Sequence, residues 1–349
     1  MSAERKSRSS KQPIQPTFQQ VLEALRDNEN SFKPRYLYRF SDIDEEELRQ
    51  LDAVWPQVSA RRRQAILEDI EELGETNYTL SFEDFCRYTL SDNDPHVREL
   101  SIRALWEYDN SGLVPLFLDM MANDSETAVR AAAAAALGKY VYLGEIEEIS
   151  EVRLNEIVDQ LVEVYRSPET THVRRKALES LGYSSRDEIT GIIESAFGSG
   201  SRELMVSAIF AMGRSANAQW GAQVLEMLES DDLEMRYEAV RAAGELELKP
   251  AITVLVNLLD ESDNDIRLAA IWSLSQIGGE GIQEVLEQLY DEAEDEEEAE
   301  FIDLALENLM FTEDMEAFSL FEISPDGAEN GKDDPNDYDE FEIDFDEDE

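Results

Sequence analysis

Between residues 97 and 274 one spacing of apolar and small side chains recurs six times. Each copy opens on an apolar residue, followed by Arg in five of the six. A small or apolar residue stands four on, and a small–apolar pair seven and eight on. The copies begin at Val97, Val129, Val173, Leu204, Met235 and Ile266, at intervals of 32, 44, 31, 31 and 31 residues. Val129-Arg130 leads to Ala136-Leu137-Gly138, and Met235-Arg236 to Ala242-Ala243-Gly244. Positions zero, four, seven and eight share one face of a helix, so each copy predicts an amphipathic helix, the anchor of its repeat. A repeat this short is one helical hairpin, which cannot bury its apolar face alone. Stacked copies can, and the pattern therefore predicts an all-α fold, an α-solenoid wound as a superhelical array.

Partner helices are expected at 113–121, 154–165, 189–197, 223–228, 251–259 and 282–290. The turns between them carry Asp, Asn, Ser and Pro, which cap the helix that follows. The 44-residue interval holds about 13 extra residues near 141–152, expected as a loop on one edge. Degenerate copies at Arg62-Arg63 and Glu298-Ala299 suit the ends of an array, whose outer faces must meet water. Residues 17–60 read as an N-terminal helical cap. Phe18, Val21, Leu22 and Leu25 keep helical spacing, and Asp44 with Glu47 looks like a capping box. The aromatics Phe32, Tyr36, Tyr38 and Phe40 are expected to pack on the first repeat. The array spans 61–310. Residues 1–16 form a basic arm with Arg5, Lys6, Arg8 and Lys11, and residues 311–349 an acidic tail. Both have too little apolar content to offset the entropy of ordering, so both are expected to be disordered.

Charge narrows the choice of partner. The chain carries 80 Asp and Glu against 30 Lys and Arg, a net −50. Residues 322–349 hold 14 acids and one Lys, so about −37 remains on the body. Such a field repels nucleic acid and anionic membranes and attracts a basic protein partner. A halophilic habitat would give the same balance. Cys86 is the only cysteine, which leaves no intramolecular disulfide and no thiolate metal cage. The first residues have no apolar signal core, and no run approaches the ~18 apolar residues of a membrane span. The reading is a cytoplasmic protein without a cofactor.

The repeat resembles the HEAT-like repeats of bacterial proteins related to phycobilin lyases. The resemblance rests on Asp94-Pro95-His96-Val97-Arg98, Ala128-Val129-Arg130-Ala131-Ala132-Ala133, Glu234-Met235-Arg236-Tyr237-Glu238-Ala239 and Asp265-Ile266-Arg267-Leu268-Ala269-Ala270. It implies HEAT-like helical hairpins over roughly 60–310, and a scaffold, an assembly factor or, less often, an enzyme. It also implies that Arg98, Arg130, Arg174, Arg236 and Arg267 form a structural ladder with acids of neighbouring turns, broken at Leu204-Met205. The rival to a scaffold is a lyase-like or cofactor-dependent enzyme subunit. The related deoxyhypusine hydroxylase binds iron through His-Glu pairs, whereas His96 and His172 are the only histidines here and each precedes Val. HEAT-like DNA glycosylases use a basic groove, which a body at −37 lacks. Asp260–Asp265 lacks the Gly of a calcium loop. Cys86, among aromatics, reads as a buried inert thiol. No catalytic or metal-binding set stands out.

Positions two and six of each anchor point away from its apolar face. Position two reads Glu99, Ala131, Arg175, Val206, Tyr237 and Leu268; position six reads Arg103, Ala135, Glu179, Phe210, Arg241 and Trp272. Stacked, they form one strip, normally the concave face. Phe210, Tyr237, Arg241, Leu268 and Trp272 are the candidate partner-binding residues, since aromatics and Arg anchor interfaces. Tight curvature would instead enclose them between helices. In the tail, Tyr338, Phe341 and Phe345 interrupt the acids, either as a short binding motif or in a plain solubilising segment. The tail can also close on the basic arm through charge.

Overall fold

The computed structural model describes residues 16–322 except 28 and 294, with side chains described to residue 312. The basic arm through residue 15 and the tail residues Tyr338, Phe341 and Phe345 lie outside the described residues.

The chain forms α1 (Phe18–Arg26), α2 (Glu45–Asp52), α3 (Ala60–Thr76), α4 (Glu83–Thr89), α5 (Pro95–Ala104), α6 (Val114–Asn123), α7 (Thr127–Glu145) and α8 (Glu151–Arg166). It continues through α9 (Thr171–Leu181), α10 (Asp187–Phe197), α11 (Arg202–Arg214), α12 (Gly221–Met227), α13 (Leu233–Glu245), α14 (Ile252–Asn257) and α15 (Asn264–Ile277), then α16 (Ile282–Glu292) and α17 (Glu296–Glu322). No strand occurs among the described residues. The contacts divide the chain into a unit ending at Ile277 and a second unit beginning at Gly278. In the first, an anchor row runs α3, α5, α7, α9, α11, α13, α15, each packed on the next. The helices α4, α6, α8, α10, α12 and α14 cover its other side. In the second unit α16 packs on α17, burying Leu286, Ile302, Ala305 and Leu309.

The anchor pattern has a packing reason. Val97, Val129, Val173 and Ile266, each at position zero, are buried, as are the apolar residues eight on. The small residue at position seven meets a glycine of the preceding anchor. A Cβ on Gly182 would lie 2.7 Å from the Ala211 Cα, and one on Gly213 2.9 Å from the Ala242 Cα. Where position seven is Ser, its hydroxyl donates across the row: Ser180 Oγ to the Ala134 carbonyl and Ser273 Oγ to the Val240 carbonyl, both at 2.8 Å. Turn residues start the helices as anticipated. Asp94 accepts from the His96 and Val97 amides, and Asp232 from those of Glu234 and Met235. Each such cap is worth about 1 kcal/mol.

Three local expectations are corrected. The 44-residue interval makes no long loop. Its extra residues lengthen both helices of one hairpin, to 19 residues in α7 and 16 in α8, because apolar side chains continue through Tyr140 and Val141 and are buried there. Asp44 does cap α2 by accepting from the Glu47 amide, but no reciprocal box forms: the Glu47 side chain pairs with Arg39 instead. Helix α17 passes the boundary drawn at residue 310 and runs to Glu322. Of the aromatic cluster, Phe40 abuts the array, whereas Tyr38 is exposed. Phe40 lies 4.3 Å between ring centroids from Phe85 of α4, and Trp55 meets the same ring edge-on.

Candidate functional site

The arginines at position one settle into a ladder. Arg98 of α5 holds Asp124, which lies just before α7, with bonds of 2.8 and 2.7 Å, and also donates to the Asp92 carbonyl. Arg130 repeats this with Glu169 and the Asp124 carbonyl. Arg236 repeats it with Glu261 and the Ser230 carbonyl. Each guanidinium thus ties the turn before its own helix to the turn before the next anchor. Burial opposes ionisation of Asp124, yet the Arg98 bonds hold its carboxyl below the usual range. The degenerate copy keeps a rung, Arg63 to Asp92 at 3.0 Å. The gap at Met205 is bridged from another register: Arg202 grips Asp232 at 2.8 Å and Glu234 at 2.7 Å. Arg174 departs from the pattern, donating to the Tyr165 carbonyl and lying over that ring. Arg98, Arg130 and Arg236 thus hold neighbouring repeats together.

On the face of the anchor row, the two ends differ. Toward α15 the strip is filled. Phe210, Tyr237, Arg241 and Leu268 are half-buried, and Trp272 is 37% exposed. The side chains interleave: Arg214 lies over Phe210 and Tyr183, and Arg241 over Phe210 and Tyr237, at 5.0–5.7 Å from the ring centroids. Such stacking holds the aromatic rings and guanidiniums in place. Glu238 and Glu245 sit beside Arg241. Burial pushes the Glu238 carboxyl up to about 7, against the pull of Arg241. Burial raises Glu245 as well. Position two is less open than the helical wheel implies, since Val206 and Ala131 are buried.

Toward α3 the same strip is hollow. Ala131, Ala132 and Ala135 of α7 form the floor of a cavity of about 510 Å³. Ile102 and Tyr108 line one side, and Tyr78 and Trp106 stand at its mouth. Tyr78 is 88% exposed and Trp106 45%. Acids Glu71, Glu75, Glu99 and Glu107 surround the opening, together with Arg103, His172 and Lys176. Sequence reasoning did not single out this place, although alanine at positions two and six of one copy was its visible signal.

Residues considered for chemistry sit apart. Cys86 is buried, and desolvation raises its thiol well above the ordinary range. His96 contacts Glu99 at 3.3 Å, and His172 is exposed. Among the described residues no group of three or more His, Cys, Asp or Glu is placed to hold a metal ion. No helix among them is long and apolar enough to cross a membrane.

The sequence signature of HEAT repeats matches residues 82–182, 189–275 and 221–305, more than half of the chain. The chain belongs to the HEAT-repeat family. Its HEAT array is similar to YibA of E. coli, at 18% identity over 81% of this chain and 99% of that one, with a TM-score of 0.41. It is similar to the complex of CpcE and CpcF of phycocyanin lyase from Nostoc sp. PCC7120, at 18% identity over 65% and 94%, TM-score 0.44. Human deoxyhypusine hydroxylase is similar at 16% identity over 76% and 97%, TM-score 0.34. No curated protein sequence matches the chain.

Proposed function

We propose that this HEAT-repeat protein is a non-catalytic scaffold or regulatory adaptor that docks a protein partner on the anchor-helix face. The supporting observation is the partly exposed strip of Phe210, Tyr237, Arg241, Leu268 and Trp272, in which the Arg241 guanidinium lies over the Phe210 and Tyr237 rings. Aromatics and Arg in such a setting are the usual anchors of protein interfaces. A net charge of −50 makes a basic partner the favoured one. The test is Trp272→Ala. A partner captured from the native host should bind this variant about 30-fold more weakly, a loss of ~2 kcal/mol, while the melting temperature stays near that of the wild type. Equal capture by a variant that melts normally would remove the strip from the interface.

A second reading draws on the hollow. Its volume of about 510 Å³ falls in the range of small-molecule sites. On that reading the chain is a lyase-like subunit or assembly factor carrying a bound small molecule. Native mass spectrometry of protein from the host decides it: an added mass lost on denaturation supports this reading, and the bare chain mass supports the scaffold.

A further inference from the structure

We propose that the hollow over α7 is a second docking site, one that receives a bulky apolar side chain carried on a Lys- and Arg-rich segment of the partner. This rests on the partner-binding reading of the anchor face and adds a site and a ligand chemistry to it.

The hollow is encoded by subtraction. Positions two and six carry Arg175 and Glu179 in α9, Tyr237 and Arg241 in α13, and Leu268 and Trp272 in α15. In α7 they are Ala131 and Ala135; Ala131 is buried, and beside Ala135 the space that a larger side chain occupies elsewhere is open. The walls are apolar, and two large rings, Tyr78 and Trp106, stay exposed at the mouth. Covering such rings and filling the floor removes apolar surface from water, at about 25 cal/mol per Å².

Charge selects the occupant. Glu71 is neutralised by Arg103 at 2.8 Å, and Lys176 by Glu179 at 2.7 Å. Glu75 and Glu107 enter no salt bridge among the described residues. They stand beside the exposed rings; Lys139 already lies over Trp106, 5.8 Å from its centroid, so a partner's Lys or Arg would find its carboxylate and aromatic face at Glu75 and Tyr78. An acidic segment would meet like charge, which disfavours the chain's own tail.

The experiment uses the full-length protein and fluorescence anisotropy. The probe is a short fluorescein-labelled peptide with a central Phe flanked on both sides by Lys and Arg. It should bind the wild type. Ala135→Trp should weaken binding by at least ~10-fold; the fold accommodates bulk there, because α11 and α15 place Phe210 and Trp272 at the same position. Replacing the exposed rings, Tyr78→Ser with Trp106→Ala, should have a similar effect without relying on that tolerance. Glu75→Gln with Glu107→Gln should weaken binding and flatten its salt dependence. A peptide with Gly in place of Phe should bind poorly, and Val152→Ser, at an exposed residue outside both sites, should leave the affinity unchanged.

The proposal is overturned if no such peptide binds, or if Ala135→Trp binds it as the wild type does. A Ser-flanked peptide that binds equally well would also overturn it. Tighter binding of a peptide copying residues 1–15 would assign the hollow to the chain's own arm. Nile red held in the hollow and not displaced by peptide would assign it to a neutral small molecule. If the host partner is lost with Trp272→Ala but the peptide ignores the hollow variants, this inference fails and the scaffold reading stands. A partner indifferent to both sets of variants removes the scaffold reading too.

Discussion

Glu238 is a side chain that ties the protein's stability to pH. It lies on α13 next to Arg241, facing Glu179, Glu245 and Arg214, and burial lifts its carboxyl to about 7. In the unfolded chain a Glu titrates near ~4.3. Below that value both states hold the proton and nothing is lost. As pH rises from there toward 7, the unfolded state ionises first, so folding loses stability, in full above 7. Glu238→Gln should therefore raise the melting temperature at pH 8, by the equivalent of on the order of 2 kcal/mol, and leave it nearly unchanged at pH 4. A variant no more stable at pH 8 than the wild type would show that Glu238 is solvated. Asp124, Glu169 and Asp232 act in the opposite sense. Their carboxyls are held low, Asp124 and Glu169 by Arg98 and Arg130 and Asp232 by Arg202, so their contribution is present above ~4 and lost as pH falls below it. Thermal scans across pH should accordingly peak near pH ~5. None of this was visible residue by residue. Glu238 stands among charged neighbours in the sequence, and only the packing of the helices buries it.

Helices in this array are joined by close backbone approach and by the arginine ladder, and the two can be tested separately. Gly182 presses on the Ala211 backbone of the next anchor, whereas Gly191, within α10, has nothing within 4 Å of an added Cβ. Gly182→Ala should lower stability by about 1–3 kcal/mol, since the backbone must shift. Gly191→Ala should raise it by about 0.5–1 kcal/mol through helix propensity. Equal effects in chemical denaturation would deny that the anchor row is packed this tightly. On the ladder, Arg130 is the shielded rung and Arg202 the open one, at 15% and 53% side-chain exposure. Arg130→Met leaves Glu169 and the Asp124 carbonyl without their donor and should cost about 1–3 kcal/mol. Arg202→Met should cost under ~1 kcal/mol, as exposed pairs do. The ladder was partly legible: the Arg after Val97, Val129 and Met235 marked rungs, whereas Arg174 turned to the Tyr165 carbonyl instead. The bridge at Arg202 was not, because it stands outside the repeated register and its acceptors Asp232 and Glu234 lie 30 and 32 residues on in the chain.

For the molecule as a whole, charge dominates the response to salt. At about −37 the folded body repels itself, and the chain at −50 should attract a basic partner. Salt shortens the reach of both effects, from about 10 Å at 0.1 M to ~3 Å at 1 M. Sodium chloride over this range should raise the melting temperature of the free protein and weaken partner binding. Opposite slopes in the two titrations are the signature to look for. A partner held equally across the range would point to apolar docking alone.

The residues alone revealed the repeat, its helices, the starts marked by Asp and Ser, and the strip on which Phe210 and Trp272 lie. These are local properties: periodicity, capping and propensity act within one or two turns, and copying them along the chain makes them easier to see. Contacts between repeats, across some 30 residues, were needed for the rest. They convert the extra length near 141–152 into longer helices, since Tyr140 and Val141 have neighbours to pack against. They raise the carboxyl of Glu238 and bridge the missing rung. They also open the hollow, because a run of alanines reads as good helix and nothing more until larger side chains from α3 and α5 stand around it.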